Sequence, residues 1–129
     1  MLVIYRVGYP EEVISTTDLA AHVQRARVAA VESMTVLAGA GSACAIARDG
    51  GSFPAYKFHE GRAAALGVLA RGLRRGEQDE SGLVDELGRH WRAEVARRAD
   101  QSRDWQAYAA GGLDAVVEIE ELLGSVAPD

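Results

Sequence analysis

The sequence predicts a mainly helical α+β fold, in which a small antiparallel sheet (an N-terminal strand plus a central β-hairpin) packs on about four helices. Three observations predict it. Leu2–Val7 alternates and is rich in β-formers. Asp49-Gly50 lies between two apolar-containing runs, and glycine tolerates the positive φ that hairpin turns need. Elsewhere apolar residues recur at spacings of three and four, the period of a helix with one buried face. An all-α four-helix bundle, with the first helix continuing to Ala47, is the alternative architecture.

The elements follow in order within one domain spanning 1–129. Residues 1–16 read as a strand-and-turn region, closed by Gly8-Tyr9-Pro10, with Val13–Thr16 as a short return strand. A helix over 17–38 starts with Thr17 as N-cap and Asp18 in its first turn, and carries Leu19, Val23, Ala26, Ala30, Met34 and Leu37 on one stripe. The hairpin occupies 42–58, and Pro54 marks its second strand as an edge, because proline donates no ladder hydrogen bond. Helices over 59–76, 81–99 and 102–123 follow. Their stripes are Leu66, Leu69, Ala70, Leu73, then Val84, Leu87, Trp91, Val95, Ala99, then Trp105, Tyr108, Gly112, Val116, Ile119, Leu123. Gly76 stops the first of these helices, and Ser81 and Ser102 cap the next two. Residues 125–129 form a tail.

Composition narrows the function classes. The net charge of −5, from 14 basic and 19 acidic residues, argues against nucleic acid as a partner, since that affinity rests on clustered Lys and Arg. Binding through the hairpin and the arginine-bearing helices stays as a second alternative. A single cysteine, Cys44, excludes an intramolecular disulfide and reads as a buried, inert thiol. The amino terminus lacks a basic leader and long apolar core, which points to an intracellular, cytoplasmic protein. From Val28 to Ala47 there is one charge, Glu32, but the run is mostly Ala, Gly, Ser and Thr, so a core helix accounts for it better than a membrane span. Within a core helix, Glu32 requires a buried partner such as an arginine.

Two segments of very small residues stand out, Ala38–Ala43 and Ala109-Ala110-Gly111-Gly112. Glycine inside a helix costs about 1 kcal/mol relative to alanine, so paired glycines point to another backbone crossing there, within the chain or across a dimer seam, with room for a ligand or a break in the last helix as the alternatives. Phosphate-loop, zinc-protease and nucleophile signatures are missing. Glu86, His90 and Glu94 share a helix face, but Glu-x-x-x-His occurs once and is not the di-iron spacing, so neither a metal nor another cofactor is expected.

The candidate site is Tyr56, His59, Glu60 and Arg62. If a helix begins near His59, these residues surround its positive end, where an arginine and free backbone N–H groups would hold an anionic ligand and His59 could move a proton. No catalytic residue is assigned, which points away from an enzyme. The sequence therefore reads as a small interaction or regulatory module that self-associates as a dimer or binds another protein, with an anionic-ligand protein as the alternative.

Overall fold

The structure, a computed structural model, describes residues 15–39 and 52–124. The strand expected over Leu2–Val7, the hairpin turn at Asp49–Gly51, Cys44 and the tail over 125–129 lie outside the described residues. Within them there are four helices: α1 (Thr16–Gly39), α2 (Pro54–Arg75), α3 (Glu80–Arg97) and α4 (Arg103–Gly124).

The expected α+β class is overturned. Residues 54–58, assigned to the second hairpin strand, are the opening turn of α2, and no strand occurs among the described residues. The cause is Pro54. Proline suits the first helical position as well as a sheet edge, because its missing N–H would have no intrahelical partner there and its fixed φ is already helical. The observed architecture is an all-helical bundle. α1 ends at Gly39, and the continuation to Ala47 considered with that alternative falls outside the described residues.

Two of the caps sit two residues before where the sequence placed them. Ser15, not Thr17, starts α1, with its Oγ accepting from Asp18 N at 3.0 Å. Asp79, not Ser81, starts α3, accepting from Gly82 N at 2.9 Å. In each case a residue with a short polar side chain lies just upstream of the one expected, and either chemistry satisfies a free N–H. Gly76 ends α2 as expected, in the left-handed conformation at φ 65° with its N–H on Gly72 O. Ser102 lies at the start of α4, its carbonyl accepting from Gln106 N at 2.9 Å.

α1 runs antiparallel to α2, with Arg27 beside Gly67 and Val31–Gly39 beside Tyr56. α3 runs antiparallel to α4, with Arg98 beside Trp105 and Gly88 beside Val116. The most extensive pairing, however, is between α2 and α4, which run parallel. Glycine makes this possible. A Cβ on Gly61 would overlap the Tyr108 carbonyl, one on Gly111 would overlap the Phe58 carbonyl, and one on Gly112 would enter the Trp91 ring. The small residues of α4 thus admit α2's backbone on one side and an indole on the other. Leu19, Val23, Leu66, Leu69, Leu87, Trp91, Val116 and Ile119 fill the core around this crossing. The space left among them is about 10 Å³, too little for a ligand.

The long apolar run beginning at Val28 is only partly a core element: Ala30 is buried and Met34 and Leu37 are half-buried, but its other face is open. Val28, Val31 and Val36 are 44%, 46% and 67% exposed, and Glu32 faces solvent rather than a buried arginine. α1 is the outer helix of the bundle, so its acid needs no partner. None of the described helices is long and apolar enough to cross a membrane.

Gly111→Ala is expected to lower the unfolding free energy by about 3 kcal/mol or more, the upper end of overpacking costs, because the clash is with a carbonyl that cannot rotate away. Gly39→Ala, whose Cβ would meet nothing within 4 Å, is expected to be neutral or stabilising by up to about 1 kcal/mol. Urea denaturation of the two variants makes the comparison.

Candidate functional site

The four residues singled out in the sequence occupy three successive turns of α2, and the structure does not gather them. Because the helix begins at Pro54, only Tyr56 lies in the first turn. Its ring is 6.1 Å from that of Phe53 and faces α1, where it lines a groove of about 510 Å³ with Val31, Met34, Thr35, Ala38 and Gly39. Glu60 contacts Lys57 at 2.9 Å, an ion pair whose angles do not make a hydrogen bond. His59 lies edge-on to Phe58 with centroids 5.6 Å apart, and its Nδ1 is buried without a hydrogen-bond partner.

Arg62 is already engaged. Its guanidinium donates to Asp114 and, at 2.9 Å, to Glu118 Oε1, both on α4. The other oxygen of Glu118 accepts from His22 Nε2 at 2.9 Å, which places a proton on that nitrogen. Three helices are therefore tied through one carboxylate. Burial pushes Glu118 upward, but hydrogen bonds from Arg62 and His22 outweigh it and leave the group below its ordinary value. Asp114 and Glu118 stand four apart on one face of α4. Sequence reading missed them, because that spacing announces a common face but not which arginine comes to it.

A second polar brace joins the starts of α2 and α4. Asp104 Oδ1 accepts from Phe53 N at 2.9 Å and from Ser52 Oγ at 3.0 Å, so α4 takes up the N–H of the residue that precedes α2. Next to it, Lys57 and Arg98 each sit 4.7 Å from the centroid of Trp105. Glu94 holds Arg98 through Oε1 at 2.9 Å and Arg97 through Oε2. Hydrogen bonds from those two arginines hold the Glu94 carboxyl down at about 2.

Arg62 and Arg92 meet carboxylates of α4, so Asp114, Glu118 and Glu120 are engaged in ion pairs between helices. Among the described residues no three His, Cys, Asp or Glu side chains converge as a metal site. Comparison with protein-family models, with curated proteins and with solved structures finds no match for this chain.

Two measurements check these braces. Arg62→Met keeps the aliphatic stem, removes the charge from between Asp114 and Glu118, and is expected to cost about 1–2 kcal/mol at pH 7 by urea denaturation. Glu94 is depressed in the folded state, so its contribution is complete above its ordinary value of 4.5 and is lost as pH falls toward 2. Glu94→Gln should lower the urea midpoint at pH 7 and make its decline across that window shallower than in the unchanged protein. A decline of equal steepness in both would remove Glu94 from the acid transition.

Proposed function

We propose that this chain is a helical interaction module that works as a homodimer, with the outer face of α1 as the seam. The supporting observation is a set of four exposed residues, Arg25, Val28, Glu32 and Val36, on one arc of that helix. Their spacings of three and four place them on the same face. Val28 and Val36 expose 44% and 67% of their surface, and neither Arg25 nor Glu32 has an ion-pair partner among the described residues.

The order along that arc suits a two-fold pairing. An antiparallel copy centred between Val28 and Ala29 sets Glu32 of each protomer opposite the partner's Arg25, and the exposed Ala21 opposite the partner's Val36. Both contacts then occur twice, as an isologous interface requires. The small residues Ala21, Ala29 and Ser33 let the two helices approach closely. A closed core and shallow surface grooves fit a binding role better than a reaction that must exclude water.

Light scattering after gel filtration tests this reading. The unchanged chain is expected to elute as a dimer at micromolar concentration. Glu32→Arg, which sets two pairs of like charges across the seam, should raise the dissociation constant by about tenfold. Adding Arg25→Glu to that variant should restore association. A monomeric mass for the unchanged chain, or no rescue by the second substitution, would end the proposal.

A further inference from the structure

Arg62, Arg75, Arg92, Arg97 and Arg98 all pair with carboxylates. Arg27 of α1 and Arg71 of α2 have no such partner among the described residues, in a chain with 19 acids to 14 bases. Their placement makes this costly. Arg27 is half-buried rather than extended into water. Both side chains converge above Gly67, where a Cβ would lie 3.5 Å from Arg71 Nη1 and 3.8 Å from Arg27 Nε. Two like charges thus face one point, one on the half-buried Arg27 and one on the exposed Arg71, with no ion-pair partner for either among the described residues.

The surroundings are built to the same end. One turn along both helices from the Gly67–Arg27 contact lies a depression of about 220 Å³, lined by Ala20, Gln24, Ala70, Leu73 and Arg74. Gln24 stands one turn before Arg27, and Arg74 one turn after Arg71, so amide and guanidinium donors rim a floor of small residues. Residues 19–31 of α1 and 61–75 of α2 contain no Asp or Glu. Nothing negative on these stretches competes for the three arginines.

We propose that the Arg27–Arg71 pair above Gly67, together with the depression one turn away that Arg74 lines, binds the linked phosphate groups of a small phosphorylated molecule. Guanidinium offers paired N–H donors that match phosphate oxygens, and two arginines over one point supply them from both sides. Phosphate oxygens accept at about 2.8 Å, so one bridging group reaches both Arg27 and Arg71. The depression is smaller than the roughly 300–1,000 Å³ of sites that enclose a drug-sized ligand, so it fits the phosphate portion and leaves the remainder of the molecule outside. The site lies on the α1–α2 seam, on a different arc of α1 from Arg25, Val28, Glu32 and Val36, and does not depend on self-association.

The test is titration calorimetry of the full chain with inorganic pyrophosphate, with a short DNA duplex as a parallel arm at the same ionic strength. Pyrophosphate is expected to bind, to raise the melting temperature and to weaken as salt rises. Arg27→Gln and Arg71→Gln should each weaken it about tenfold or more, and Arg89→Gln, an exposed arginine on α3, should leave it unchanged. Neither Arg27 nor Arg71 makes a hydrogen bond within the described bundle, so both variants should keep the cooperative melting transition. No binding at millimolar pyrophosphate, equal weakening by Arg89→Gln, or a duplex that binds without being displaced by pyrophosphate would each overturn the proposal.

Discussion

The contact between the backbones of α2 and α4 is the constraint on which the rest of the structure depends. Neighbouring helices in an up-and-down bundle are antiparallel, and parallel helices sit on the diagonal, separated by side chains. Here the diagonal pair touches. Gly61 and Gly111 remove the side chains that would hold the helices apart, and Gly112 admits the Trp91 ring from the third helix. Each glycine costs helix stability on its own. The loss is offset by burial of Leu66, Leu69, Val116 and Ile119 along the two helices.

This crossing fixes the rotation of α2 and hence the role of each polar residue on it. With Gly61 against α4, the next residue, Arg62, meets Asp114 and Glu118. Tyr56 and Gly67 are turned toward α1. A helix that touches α4 so closely has no interior channel beside it, and the charged groups are left at the rims. The rims are where His22, Glu118, Asp104 and Glu94 make their contacts.

How much of this could be read in the sequence depended on whether one residue type permitted one structure. The periodicity of Leu66–Leu69, Val84–Leu87–Trp91 and Val116–Ile119 was sufficient, because an apolar stripe at helical spacing has few other homes. Gly76 was also readable, as a left-handed terminus is what glycine supplies cheaply. The glycines of α4 announced a close approach, which the structure shows within the chain. Pro54 was ambiguous, since a sheet edge and a helix start both lack a need for its N–H, and the contact that braces the observed helix start comes from Asp104, about fifty residues away, which accepts from Phe53 N. Glu32 misled for a related reason: an apolar run shows affinity for a core but not its position in the bundle. The candidate group Tyr56, His59, Glu60 and Arg62 was legible as a set of chemistries and not as a place, because the six steps from Tyr56 to Arg62 make about one and two-thirds turns of helix and point the two side chains in different directions.

Charge is the property that the sequence averages most thoroughly and the fold separates most. A net charge of −5 describes no part of the surface. The last helix concentrates Asp114, Glu118, Glu120 and Glu121, and its contacts with Arg62 and Arg92 neutralise cations brought by α2 and α3. Of these acids, Asp114 and Glu118 meet Arg62 on α2, Glu118 also meets His22 on α1, and Glu120 meets Arg92 on α3. Arg27 and Arg71 of the α1–α2 face have no carboxylate partner among the described residues. An overall acidic chain can in this way carry a local cationic surface, and the packing of the glycine-bearing helices determines where that surface lies.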